Sequence, residues 1–172
     1  MEKLELATLG GGCFWCLDAI YSRINGINAI VTGYSGGSKI NPTYEQVCSG
    51  ETGHAEVIQI SFDPKKTTYE ILLDWFWCAH DPTTLNRQGG DIGTQYRSII
   101  LFHNEIQKKL AFQSKEKIEK DLIFKDPIIT EITEIQEFYP AEDYHQLYFK
   151  KNPSAGYCTN VIYPKLQKLR LE

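Results

Sequence analysis

A cysteine, Cys13, directly follows three glycines, Gly10 to Gly12, where an apolar segment ends and a helical pattern begins. The glycines allow a tight turn and the close approach of a ligand or of another part of the backbone. The free N–H groups at a helix start stabilise a thiolate and lower the pKa of the thiol. We therefore expect Cys13 to be a nucleophile with a lowered pKa, and a buried structural thiol is the alternative.

Two large aromatic residues, Phe14 and Trp15, follow this cysteine. Phe14 recurs with Leu17 and Tyr21 at helical spacing, which predicts a core position, whereas Trp15 falls outside that apolar stripe. Two rings beside a thiol are suited to bind a small apolar group such as a methyl on sulfur. Core packing also accounts for each ring taken alone.

Glu56 lies in the segment Ala55 to Phe62, which alternates as a strand does. The period of two places Glu56 on the same face as Ile58 and Ile60. A carboxylate on an apolar face is either solvated at the strand end or buried with a raised pKa. A raised pKa is what a proton donor needs near neutral pH, so Glu56 is a candidate general acid.

The 172 residues, 42% hydrophobic and 23% charged, predict one globular domain over residues 1–172. The net charge of −4 provides no broad basic field for nucleic acid or an anionic membrane. We see no secretory signal and no apolar run near the roughly 20 residues needed to span a bilayer. Five cysteines in such a chain predict reduced thiols and a cytoplasmic location.

Strand and helix patterns alternate along the chain. The predicted strands are 3–9, 27–34, 55–62, 97–103 and 128–137, and the predicted helices are 13–25, 67–78, 104–122 and 141–150. Thr67 and Glu70 predict a capping box at the start of the second helix. This order predicts an α/β (α+β) two-layer sandwich, in which helices pack on one sheet. Two long polar loops, one ending at Gly53 and one spanning His80 to Tyr96, are expected to carry function.

The sequence resembles the peptide methionine sulfoxide reductase A family, which is specific for the S epimer of the sulfoxide. Six segments carry the resemblance in family order, at residues 11–15 (GGCFW), 33–37 (GYSGG), 41–57 (NPTYEQVCSGETGHAEV), 80–98 (HDPTTLNRQGGDIGTQYRS), 138–146 (FYPAEDYHQ) and 151–158 (KNPSAGYC). They extend over nearly the whole chain. The resemblance implies a ferredoxin-like mixed sheet and a thiol-dependent reduction of methionine-S-sulfoxide, free or in proteins.

The resemblance also implies roles for individual residues. Cys13 attacks the sulfoxide sulfur and becomes a sulfenic acid, while Glu56 protonates or hydrogen-bonds the sulfoxide oxygen. The hydroxyls of Tyr44 and Tyr96 donate to the developing oxyanion, as in an oxyanion hole. Asp91 helps to hold the polar site, and Phe14 and Trp15 bind the substrate.

For the step after attack, the resemblance implies that Cys158 forms a disulfide with Cys13, which thioredoxin then reduces without another cofactor. Pro153 and Gly156 predict a flexible tail that carries Cys158 to the site. Cys16 departs from the family pattern, because many members have Gly there. It forms a Cys-x-x-Cys pair with Cys13, so Cys16 is an alternative resolving residue or a relay.

The other cysteines, Cys48 and Cys78, are interpreted as structural. No tetrahedral metal-ligand set is recognised, so the histidines are interpreted as structural too: His54, His80, His103 and His145. Two other classes of function stay open at this point. One is a thioredoxin-like disulfide exchanger that uses Cys13 and Cys16, and the other is a redox-sensing binding module without turnover.

Overall fold

A computed structural model describes residues 3–172 and shows a mixed six-stranded sheet beside a two-stranded hairpin. The large sheet contains β1 (Glu5–Gly10), β2 (Ile27–Ser35), β3 (Ala55–Phe62), β6 (Ile99–Phe102), β7 (Glu131–Glu134) and β8 (Phe138–Pro140), and the hairpin contains β4 (Arg87–Gln88) and β5 (Asp91–Ile92). The strand order is β7-β6-β1-β3-β2-β8. Neighbouring strands run antiparallel, except for the parallel pair β6 and β7.

Residues 3–172 also form six α-helices. They are α1 (Phe14–Tyr21), α2 (Tyr44–Cys48), α3 (Tyr69–Ala79), α4 (Glu105–Lys120), α5 (Tyr148–Lys151) and α6 (Tyr163–Lys168). Two 3₁₀ turns cover Thr94–Tyr96 and Asp143–His145, and a π-helix covers Cys158–Ile162. No helix formed within residues 3–172 is long and apolar enough to cross a membrane.

The main core lies between the sheet and the helices. Strand residues such as Leu9, Ile58 and Ile60 are fully buried there together with Leu17 of α1 and Leu73 of α3. A smaller cluster on the other face of the sheet contains residues 55, 57, 99 and 101. The predicted mixed sheet with helices packed on it is confirmed.

The segment predicted as one strand over 128–137 forms two strands instead. β7 and β8 lie on opposite edges of the sheet although only residues 135–137 separate them. In a flat sheet these edges would be about 24 Å apart, whereas the linker spans only about 14 Å. The sheet therefore curls until its two edges approach each other, and it encloses the smaller apolar cluster.

The capping box predicted at Thr67 and Glu70 is wrong. The cap of α3 is Thr68, whose hydroxyl accepts the N–H of Ile71 at 3.3 Å, while Thr67 is buried. Thr67 and Thr68 are adjacent candidates for the cap. Thr67 is buried, and Thr68 caps the helix. A capping box does occur at α2, where Thr43 and Gln46 exchange side-chain and backbone hydrogen bonds.

Candidate active site

Cys13 is the N-cap residue of α1, in the turn that follows β1, and only 8% of it is exposed. Gly12 has a φ of 82°, which favours glycine, and its N–H donates to the Tyr96 carbonyl at 3.1 Å. A Cβ at Gly11 would lie 2.7 Å from the ring of His80. The glycines therefore permit the tight turn and close approach that the sequence predicts.

The pKa of the Cys13 thiol is raised well above its ordinary value. Burial is the main cause, and the nearby Glu56 carboxyl raises the pKa further, while the backbone N–H of Trp15 lowers it. The sequence-based expectation of a lowered pKa is therefore wrong. The N–H groups at the helix start are outweighed by desolvation and by the neighbouring carboxyl.

Glu56 is the buried carboxyl of the site, with 1% of it exposed at the start of β3. Its Oε1 accepts a hydrogen bond from the Phe14 backbone N–H at 3.1 Å. Burial raises the pKa of Glu56 to about 8, although the Phe14 N–H and the Cys13 thiol both lower it. The prediction of a buried carboxyl with a raised pKa is confirmed, and Glu56 carries a proton at neutral pH.

The hydroxyls of Tyr44 and Tyr96 belong to the same site. Tyr44 begins α2, and its ring centroid lies 4.4 Å from that of His145. Tyr96 ends the 3₁₀ turn Thr94–Tyr96. Its backbone carbonyl accepts the N–H of Gly12 in the glycine turn before Cys13. Burial raises the pKa of both hydroxyls, and Glu56 raises both pKa values further, which places both tyrosines within its electrostatic reach. Both hydroxyls are protonated hydrogen-bond donors.

The two aromatic residues after Cys13 have different environments. The Phe14 ring is 1% exposed and packs in the core, with centroids 5.8 Å from Tyr34 and 5.1 Å from His145. The half-buried Trp15 ring stacks on Tyr148 at 3.7 Å, and its indole N–H donates to Nδ1 of His145 at 3.1 Å. Trp15 is therefore the ring that reaches the protein surface.

Asp91 lies on the other side of the cysteine pair, in β5. Its carboxylate accepts a hydrogen bond from the Tyr157 hydroxyl at 2.7 Å, and that hydroxyl lies 3.6 Å from Sγ of Cys16. These three residues line a cavity of about 200 Å³ together with Cys13 and Lys165. Both thiols of the Cys-x-x-Cys pair thus border one cavity.

Cys158 lies in a helix and not in a flexible tail. It is fully buried and begins the π-helix, and a buried stripe continues at Ile162 and Leu166. Burial raises the pKa of the Cys158 thiol, and the neighbouring Cys16 raises it further. The predicted flexible tail is wrong, because the apolar spacing of four residues buries this segment against the core.

Glu142 and His145 are site residues to which sequence reasoning gave no role. The Glu142 carboxylate accepts from the Tyr34 hydroxyl at 3.1 Å and from the Tyr44 backbone N–H at 3.0 Å. His145 is fully buried and accepts the N–H of Trp15. Both lie in the segment 138–146, which carries part of the family resemblance. The match of this segment to the family is the feature of the sequence that could have indicated them.

The two remaining cysteines, which the sequence analysis interprets as structural, are exposed. Cys48 ends the short helix α2, in which Val47 is the buried residue, and Cys78 lies on the outer side of α3. All five cysteines are free thiols. Within residues 3–172, no group of three or more His, Cys, Asp and Glu side chains could hold a metal ion.

Comparison with known proteins places this fold and site among the thiol-dependent α/β oxidoreductases. A model of the peptide methionine sulfoxide reductase family matches residues 5–172. The MsrA protein of Polynucleobacter asymbioticus is 53% identical over 170 residues, which cover 99% of this chain and 90% of the relative. That of Leptospira borgpetersenii is 56% identical over 165 residues, with 96% and 93% covered. This chain belongs to the peptide methionine sulfoxide reductase family, in its MsrA branch.

Solved structures agree with this assignment. Reduced Mxr1 from Saccharomyces cerevisiae superposes with a TM-score of 0.85 at 40% identity, covering 91% of this chain and 90% of the yeast chain. Methionine sulfoxide reductase A of Corynebacterium diphtheriae gives a TM-score of 0.81 at 34% identity, with 93% and 80% covered. The family resemblance identified from the sequence motifs is confirmed.

Proposed function

We propose that this member of the family reduces methionine-S-sulfoxide, free or in proteins, with Cys13 as the nucleophile and Glu56 as the proton donor. One observation carries the proposal. Glu56, a buried carboxyl with a pKa of about 8, accepts the backbone N–H of the first residue of α1 and lies beside the thiol of Cys13, the N-cap residue. It is protonated under conditions in which an ordinary glutamate would be charged.

The resting site holds two protons, one on the Cys13 thiol and one on Glu56. As the sulfur of Cys13 attacks the sulfoxide sulfur, Glu56 donates its proton to the sulfoxide oxygen, which makes the sulfoxide sulfur electrophilic. The resulting Glu56 carboxylate takes up the proton of the Cys13 thiol. The oxygen then passes to Cys13, which becomes a sulfenic acid, and methionine leaves. The sulfoxide is reduced and Cys13 is oxidised by two electrons, so this step needs no other reductant.

The surrounding residues are suited to position the sulfoxide. The hydroxyls of Tyr44 and Tyr96 donate to the developing oxyanion, and Asp91 organises the polar side through Tyr157. The exposed part of Trp15 offers an apolar surface for the methyl group on sulfur. The Phe14 ring supports this pocket from the core.

The catalytic cycle closes when Cys158 forms a disulfide with Cys13 and thioredoxin reduces that disulfide. A crystal structure of yeast Mxr1 in complex with Trx2 supports a thioredoxin as the reductant, since it matches this chain with a TM-score of 0.61 at 30% identity over 85% of each chain. Thioredoxin is then the only electron carrier required, and the activity serves repair of oxidised proteins under oxidative stress. The cytoplasmic location stays a prediction.

The test is turnover of the two epimers of a methionine sulfoxide with dithiothreitol. We expect the wild type to reduce the S epimer only, and Cys13→Ser to abolish turnover while the far-UV circular dichroism is unchanged. Cys78→Ser changes an exposed thiol on α3 and serves as the control with full activity. Turnover by Cys13→Ser would remove Cys13 as the nucleophile. Disulfide reduction without any sulfoxide turnover would favour the thioredoxin-like exchanger instead.

A further inference from the structure

Cys16 lies three residues after Cys13 in the chain and borders the same cavity. It lies in the first turn of α1, where its N–H donates to the Cys13 carbonyl at 3.1 Å. Both thiols are buried and border the same cavity of about 200 Å³. Cys-x-x-Cys pairs at helix starts form redox-active disulfides in other proteins, so this spacing permits the bond.

The surroundings of Cys16 are those of a thiol that acts as a nucleophile and as a leaving group. The Tyr157 hydroxyl lies 3.6 Å from its Sγ, and the half-buried Lys165 borders the same cavity. Burial raises the pKa of the Cys16 thiol, and the pKa stays raised although Lys165 and the Tyr157 hydroxyl each lower it. A nearby cation and a hydrogen-bond donor stabilise a thiolate, whether it attacks or leaves.

Cys158 has no neighbour within residues 3–172 that lowers the pKa of its thiol. It is fully buried at the start of the π-helix, and the effects on its pKa, from burial and from Cys16, both raise it. Cys158 does not line the cavity that Cys13 and Cys16 border. A Cys13 sulfenic acid that no thiol captures is open to further, irreversible oxidation.

We propose that Cys16 is the first resolving residue, which captures the Cys13 sulfenic acid as a Cys13–Cys16 disulfide before Cys158 takes part. The inference rests on the proposed function. Sγ of Cys16 attacks Sγ of Cys13, the S–S bond forms and the S–O bond breaks, and the hydroxide leaves as water with the proton from Cys16. Cys158 thiolate then attacks Sγ of Cys13 and releases Cys16 as a thiolate beside Lys165 and Tyr157. This exchange involves no net oxidation and produces the Cys13–Cys158 disulfide.

The experiment is a single turnover with methionine-S-sulfoxide, without thioredoxin or dithiothreitol, stopped by acid at increasing times. Remaining thiols are alkylated, disulfides are mapped by peptide mass spectrometry, and dimedone reports sulfenic acid in parallel samples. In Cys158→Ser we expect one methionine per enzyme, a Cys13–Cys16 disulfide and little dimedone adduct. In Cys16→Ser we expect the dimedone adduct at Cys13 to rise at least about tenfold, because capture must await Cys158.

Two further variants serve as controls. Cys16→Ala repeats the loss of the thiol without adding a hydroxyl to a buried site, and Cys78→Ser controls for the loss of a thiol elsewhere. If Cys158→Ser releases one methionine but keeps a dimedone-reactive Cys13 and a free Cys16, the inference is overturned while the proposed function stands. If no methionine is released by any protein that retains Cys13, both the proposed function and the inference fail.

Discussion

Oε1 of Glu56 accepts the backbone N–H of Phe14 at 3.1 Å, so the first N–H of the helix after Cys13 is directed to a carboxyl and not to the thiol. The Trp15 N–H at the same helix start lowers the pKa of the thiol, but burial and the Glu56 carboxyl outweigh it. The helix start instead holds the buried Glu56 in place beside Cys13, whose own pKa is raised by burial and by that carboxyl. Both groups are therefore protonated in the resting site.

Glu56→Gln tests the role of this carboxyl. The amide keeps an oxygen for the Phe14 N–H but has no acidic proton, so we expect the first-turnover rate to fall about 10²-fold. In the wild type the rate should decrease as the pH rises through about 8, because Glu56 loses its proton there. The variant should lack this decrease. Rapid-quench measurement of methionine release between pH 6 and 9 gives the first-turnover rate of each protein. Equal rates for the wild type and the variant would leave Glu56 only a structural role.

The raised pKa of Cys13 predicts a slow reaction with alkylating agents in the absence of substrate. We expect iodoacetamide to modify Cys13 more slowly than the exposed Cys78 at pH 7, and the Cys13 rate still to be increasing above pH 9. Peptide mapping after timed alkylation measures both rates in one sample. Alkylation of Cys13 that reaches its plateau below pH 8 would contradict the raised pKa.

The two tyrosine hydroxyls are expected to act on the oxyanion. Tyr44→Phe and Tyr96→Phe should each lower kcat/KM about 10²-fold, because each removes one donor from a buried site. Tyr44→Phe keeps the ring that lies 4.4 Å from His145, so packing is preserved. Tyr163→Phe, at an exposed position of α6, is the matched control. Steady-state kinetics with the S epimer measure the effect, and variants as active as this control would exclude the hydroxyls from catalysis.

A second buried carboxyl, Asp18 of α1, makes stability depend on pH. It is 3% exposed, its Oδ1 has no hydrogen-bond partner among residues 3–172, and burial raises its pKa from 3.8 to about 6. Since the folded pKa is the higher one, the unfolded chain binds fewer protons between pH 4 and 6. The contribution of Asp18 to stability is therefore present below about pH 4 and is lost as the pH rises through about 6.

Asp18→Asn should remove this loss. Relative to the wild type, the free energy of unfolding of the variant should increase by up to about 3 kcal/mol from pH 4 to pH 7. Urea unfolding at both pH values measures the difference, and Asp74→Asn on the exposed side of α3 is the control. A difference between variant and wild type that is the same at both pH values would show that folding does not raise the pKa of Asp18.

Local patterns in the sequence sufficed to predict much of the fold. The strand Ala55–Phe62 was predicted with its observed bounds, and its alternation placed Glu56 on the buried face. The segment 128–137 could not be predicted, because its division between two sheet edges depends on the curl of the whole sheet. Cys158, Ile162 and Leu166 form a buried stripe at helical spacing, but the turn-prone Pro153 and Gly156 just before it favour a flexible tail when the sequence is considered alone.

The electrostatics of the site could not be predicted in the same way. Periodicity indicates which residues share a face, but the pKa of Cys13 depends on a carboxyl 43 positions later and on the burial that the assembled fold produces. Tyr157 and Lys165 lie near Cys16 only because the C-terminal helices pack against α1. Such contacts follow from tertiary packing, which no local spacing encodes.

The Trp15–His145 hydrogen bond joins residues 130 positions apart, and this has a consequence for the order in which the protein becomes active during synthesis. The ribosome delivers the nucleophile near the beginning of the chain and the residues that pack around it near the end. Contacts between such distant segments close late, because the loop between them must first be ordered. A nascent chain therefore carries Cys13 for most of its translation without the walls of the site. Sulfoxide reduction begins only once the last third of the chain has been made and has folded back.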